Sequence, residues 1–170
     1  MTKYVAFLRG VNVGGRIIKM AELKTCFETT GFKNVSTLLQ TGNVLFETDE
    51  TQAKLKPKIE KLLIKTFNYP AKVQVFSIGN LAKIVDAYPF KSKEGWHSYV
   101  IFLENDLEVP LVAEAGKQLG EQVKAGNHVV YWQVERGMTL ISQFAKLLTQ
   151  SKYKDFNTNR NLNTLRKLLP

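Results

Sequence analysis

The sequence holds a single cysteine, Cys26, and only two histidines, His97 and His128. One cysteine excludes an internal disulfide. Cys26 falls beside Leu23 and Phe27 on the apolar side of an expected helix, which favours buried packing over nucleophilic work. Neither histidine has a cysteine, histidine or carboxylate at metal-ligand spacing, so no metal and no cofactor is expected. Long hydrophobic runs are lacking too. The apolar runs are strand-sized, too short to cross a bilayer. The stretch ahead of Arg9 is too short for a signal peptide. The expectation is a cytoplasmic protein with no membrane contact.

What is present suits one ordinary domain or two small ones. Of the 170 residues, 44% are hydrophobic and 23% charged, which excludes a disordered chain. The net charge of +9 is uneven: residues 1–77 and 136–170 are each basic, while 78–135 carry more acid than base. Such asymmetry fits an anionic partner. The lysines at 54, 56, 58, 61 and 65 read instead as the solvated side of one helix.

The first half alternates cleanly. Residues 4–8 read as a buried strand, and 20–30 as a helix ended by Gly31. Residues 35–39 and the strand beginning at 44 flank the turn residues Thr41, Gly42 and Asn43, which makes a hairpin. An apolar stripe of Leu55, Ile59, Leu62, Leu63 and Phe67 predicts a helix that starts or bends at Pro57. Residues 73–76 follow as a fourth strand after Asn68-Tyr69-Pro70. This order, βαββαβ, is the ferredoxin-like split arrangement, with strands ordered 4-1-3-2. A second unit over 79–150 reads in the same order, with its last strand missing. Residues 151–170 then form a polar segment from Asp155 to Asn161 and an amphipathic helix. The fold class expected is α+β: duplicated ferredoxin-like units, 1–78 and 79–150, with antiparallel sheets.

The split arrangement brings two polar loops to one rim. The first, after strand one, holds Arg9, Gly10, Asn12, Gly14, Gly15 and Arg16; the hairpin holds Gln40, Thr41, Gly42 and Asn43. Glycines let backbone N–H groups converge, and arginines add charge, so the rim suits an anion. The plain alternative is that the glycines only turn a tight corner. A nucleotide-binding P-loop is excluded: Arg16 stands where its lysine would be and Ile17 where its hydroxyl would be. The dinucleotide fingerprint fails because Asn12 occupies a required glycine.

Late in the chain, Arg160 with Asn159, Asn161 and Asn163 forms a second candidate. A helix cap explains one or two of these residues, whereas amides plus an arginine also suit phosphate or carboxylate. Glu104, Asp106 and Glu108 would suit a divalent ion in outline but read as turn chemistry, since no glycine-bearing calcium loop surrounds them.

Leu8–Gly15, Met20-Ala21-Glu22-Leu23 and Gln40–Val44 resemble the opening of domain-of-unknown-function family 1697. Tyr88-Pro89-Phe90 and the run 158–164 are similar to two further motifs of that family, with Thr41 replacing a usual serine and Leu162 a tryptophan. The resemblance implies a duplicated ferredoxin-like fold and no established activity. Three functional classes follow, in order. The first is a protein that binds a small anion, phosphorylated metabolite or nucleotide at the rim. The second is a nucleic-acid-binding protein, although the strands lack the aromatic signature of RNA-recognition sheets. The third is an enzyme of unrecognised chemistry at the same rim, for which no residue set is selected.

Overall fold

The computed structural model describes residues 1–154 and 157–170. The chain forms two compact units, Met1–Leu81 and Ala82–Pro170. Each is built on a four-stranded antiparallel sheet with helices.

In the first unit β1 (Thr2–Arg9) leads through a long loop to α1 (Met20–Thr29). Then come β2 (Lys33–Leu38), β3 (Asn43–Thr48), α2 (Gln52–Phe67) and β4 (Lys72–Ser77). The sheet order is β2-β3-β1-β4, the expected one. Period-two alternation sends Tyr4, Ala6 and Leu8 of β1 toward the helices. There they meet Leu23 and Phe27 of α1 and Leu55, Ile59 and Leu63 of α2, all buried. Each such side chain contributes about 1.5–3 kcal/mol on leaving water. Val5 and Phe7, on the other face of the strand, are fully buried as well, which is why residues 4–8 read as an unbroken apolar run. Helix α2 begins at Gln52 and continues through Pro57, so the proline does not start it. It ends at Asn68, whose left-handed φ of 51° turns the chain toward β4.

The outer border of β4 is covered by side chains from α2. Glu60 Oε1 accepts the Val73 amide at 3.0 Å, and Lys56 Nζ donates to the Val73 carbonyl at 3.0 Å. Lys56 and Glu60 also pair with each other at 2.9 Å, and Gln52 Nε2 donates to the Val75 carbonyl at 2.8 Å. Main-chain groups that would otherwise face solvent at a sheet edge are thereby satisfied.

After α3 (Ile78–Asp86), the second unit comprises β5 (Trp96–Leu103), α4 (Val109–Gln118), β6 (Gln122–Ala125) and β7 (Val129–Glu135). It closes with α5 (Gln143–Leu148), α6 (Ser151–Lys154), β8 (Asn157–Asn161) and α7 (Leu162–Leu168). A single 3-10 turn, Asp106–Glu108, precedes α4. The sheet order is β6-β7-β5-β8. Its core gathers Ile101, Leu103, Val112, Trp132 and Phe144.

Here the structure corrects the sequence reading. The last strand is not missing: the polar run from Asn157 to Asn161 is that strand, paired antiparallel with β5 from Tyr99↔Asn161 to Leu103↔Asn157. Residues 157–168 thus belong to the second unit's fold rather than to an appended segment. Asp155, where that run was expected to begin, lies outside the described residues. The final helix forms as expected, with Leu162, Leu165 and Leu168 buried. Among the described residues, no helix is long and apolar enough to cross a membrane.

Candidate functional site

The two loops of the first unit do meet. Asn12 Nδ2 donates to the Gln40 carbonyl at 2.6 Å, and Asn12 Oδ1 accepts the Ile18 amide at 3.3 Å. A second tie joins the Leu8 amide to the Gly42 carbonyl at 2.8 Å. Gly42 is there because nothing larger fits. Its φ is +80°, and an added Cβ would stand 2.5 Å from Val11 Cγ2 and 3.0 Å from Leu8 Cβ. The hairpin is held from within by Asn43, fully buried, whose Nδ2 donates to the Leu38 carbonyl and to Thr41 Oγ1. Asn43 and Thr41 therefore shape the rim.

Gly14 and Gly15 are the middle of a tight turn closed by the Arg16 amide on the Val13 carbonyl at 3.2 Å. Both have positive φ, 63° and 77°, as a type I′ turn requires. The conformational explanation accounts for both glycines. Both are exposed, and an added Cβ at either would meet nothing within 4 Å. The turn stands clear of the protein.

Arg16 is the residue the rim is built to hold. Its Nη1 donates to the Gly10 carbonyl at 3.1 Å, and its guanidinium carbon lies 4.6 Å from the centre of the Tyr69 ring. Such cation–π stacking fixes a flexible side chain in one place. Among the described residues no carboxylate forms an ion pair with it. The loops 10–19, 39–42 and 68–71 contain Arg16 and Lys19 and no aspartate or glutamate. Beside them Arg9 ends β1 directly opposite Lys72 of β4.

Tyr69 was not among the residues singled out from sequence, although the turn that holds it, Asn68-Tyr69-Pro70, was expected at the same sheet end as the two loops. Its ring is buried, and its hydroxyl has no hydrogen-bond partner among the described residues. Burial pushes the phenol up to about 12; Arg16 works against the shift and Cys26 adds to it. The signal available in the sequence was topological, since the turn before strand four must lie at the same sheet end as the loop after strand one.

A groove of about 550 Å³ lies between α1 and the last turn of α2. It is lined by Ala21, Glu22, Thr25, Cys26, Thr29, Thr66 and Phe67. Cys26 is buried, as expected; its Sγ contacts Thr66 Oγ1 at 3.5 Å, and burial raises its pKa. That thiol is a packing group with little thiolate character.

Arg160, Asn161 and Asn163 lie in the second unit. Asn161 caps α7, its Oδ1 accepting the Asn163 amide at 2.9 Å. Arg160 stands opposite Val100 in the β5–β8 ladder, and its Nη1 donates to the Asn159 carbonyl at 3.0 Å. Asp106 of the acidic cluster pairs with His128 Nδ1 at 2.6 Å, tying the 3-10 turn to the β6–β7 hairpin.

The family description "Protein of unknown function (DUF1697)" matches residues 1–131, which include the whole rim. The chain belongs to this family. The match stops ahead of Arg160, Asn161 and Asn163, so the C-terminal motif stands on its own residues. No curated protein matches the chain. Among solved structures it is similar to the conserved bacterial protein SP0830 from Streptococcus pneumoniae, at 22% identity and a TM-score of 0.80. That similarity covers 98% of this chain and 96% of the other. At this identity the likeness concerns the fold.

Proposed function

We propose that this DUF1697 protein binds a small anionic ligand, of the phosphorylated-metabolite or nucleotide class, at the rim of its first unit. The observation that carries this reading is Arg16: a guanidinium pinned by Gly10 and Tyr69, with no carboxylate partner among the described residues, beside a solvent-facing glycine turn. A cation held in place before binding forfeits little side-chain entropy when the anion arrives. The apolar tips of the rim are aliphatic (Val13, Ile17 and Leu39), and base stacking needs aromatic faces, which supports a small anion over a nucleic acid. We also read each unit as one ferredoxin-like βαββαβ unit and the chain as a duplication, supported by two sheets of the same strand order.

Titration with inorganic phosphate, followed by backbone NMR, tests the site. The amides of residues 10–17 should move at millimolar phosphate, and Arg16→Gln should weaken binding about tenfold, the loss of one charge-assisted contact. Shifts confined to other regions, or an Arg16→Gln variant that titrates like the wild type, would refute the reading.

A further inference from the structure

The same rim carries a feature that a small anion does not use. Val13, Ile17 and Leu39 are 64%, 80% and 51% exposed on loops already tied together by Asn12 and Gln40. A contiguous exposed apolar patch rimmed by polar residues marks an interaction site. The loops beneath them are basic, with Arg16 and Lys19 and no acid. A partner for this surface needs aliphatic groups set among carboxylates.

The second unit presents such a surface. Leu107 and Leu111 are 79% and 61% exposed on the 3-10 turn and the first turn of α4. Their spacing of four places them on one side, while Val109, Val112 and Ala113 turn inward. Flanking them in sequence are Glu104, Asp106, Glu108 and Glu114, of which Asp106 is already paired with His128, and no lysine or arginine falls between residues 104 and 116. Both surfaces are open to solvent.

We propose that the protein associates head to tail with further copies of itself. The rim of Val13, Ile17 and Leu39 in one copy seats on the Leu107–Leu111 surface of the next, and Arg16 and Lys19 face its carboxylates. The two surfaces differ from each other, so the contact is heterologous. Opposite charge governs which surfaces meet, and aliphatic contact holds them. The acidic surface then occupies the place where an anion would bind, so phosphate and self-association compete.

Mixing two one-sided variants tests the proposal by sedimentation velocity. Wild-type protein should gain mass with concentration and return to monomer in high salt, as charges screen. Ile17→Asp breaks the basic side alone, and Leu111→Arg the acidic side alone. Each variant should stay monomeric, with the circular dichroism and melting temperature of wild type because both positions are exposed. An equimolar mixture should give 1:1 dimers and nothing larger, since each copy then keeps one usable surface. Leu107→Arg should behave as Leu111→Arg does. Wild type that stays monomeric at millimolar concentration would overturn the proposal, as would association unaffected by either substitution, or a mixture without dimers. The anion reading is judged separately, because phosphate should still move residues 10–17 in monomeric Leu111→Arg.

Discussion

Asn12 and Gln40 stand 28 residues apart in sequence and 2.6 Å apart in space, joined from side-chain amide to backbone carbonyl. With its other end Asn12 receives the Ile18 amide, so one side chain sets the separation of two loops. Asn12→Ala should cost about 1–2 kcal/mol, the net worth of two modest hydrogen bonds. It should also speed hydrogen exchange across residues 10–18. Asn12→Asp should cost nearly as much, because it keeps the Ile18 acceptor but loses the donor to Gln40. Urea unfolding and amide exchange measure both.

Two glycines of the rim should respond differently to alanine. Gly15→Ala meets only the strain of positive φ, roughly 1–2 kcal/mol, because space around it is open. Gly42→Ala meets the same strain and a collision with Val11 and Leu8, so it should lose on the order of 3 kcal/mol or more. A thermal or denaturant series that ranks them the other way would contradict the close approach of the two loops.

Most of the first unit was legible because its signals are local and agree. Residues 4–8, the stripe from Leu55 to Phe67 and the Thr41-Gly42-Asn43 turn each point to one element, and right-handed crossovers leave few ways to join them. Strand β8 was not legible. Asn157, Thr158, Asn159, Arg160 and Asn161 include no apolar residue and several poor strand formers. They are extended because β5 offers a free edge, and Asn157 and Thr158 are buried there by tertiary context. The rim's neighbours were deduced from topology, but Tyr69 was missed, since a helix-ending tripeptide does not disclose what its aromatic ring will hold.

Asn157 should prove a strong fixing point for this polar strand. It is buried, and its Nδ2 donates to the carbonyls of Leu148 at 3.1 Å and Tyr153 at 2.6 Å. Asn157→Leu, similar in size, would leave both carbonyls without that donor and should cost about 2–3 kcal/mol. Limited proteolysis between residues 149 and 161 should accelerate in parallel.

Alkali should destabilise the fold through two phenols. Tyr69 and Tyr131 are both pushed up to about 12, chiefly by burial. An unfolded tyrosine ionises near 10, so the neutral phenols contribute a constant amount below that pH, and the contribution is lost as pH rises from about 10 to 12. The double variant Tyr69→Phe/Tyr131→Phe should flatten that decline, seen by denaturant melts at stepped pH. At neutral pH the single variants should part. Tyr131→Phe removes the bond to the Ile84 carbonyl, 2.7 Å long and buried, at a cost of about 1 kcal/mol. Tyr69→Phe removes a hydroxyl with no partner among the described residues and should cost nothing.

The cover that α2 lays over β4 decides how this molecule can and cannot aggregate. An incoming chain seeking to zip onto that border would find the Val73 amide held by Glu60 and the Val73 and Val75 carbonyls held by Lys56 and Gln52. To recruit a foreign strand there, the protein would have to surrender an ion pair and three hydrogen bonds before gaining its first new rung. Along this border, cross-β growth is arrested before it can nucleate, and contact between molecules is left to side chains, which salt and dilution can reverse.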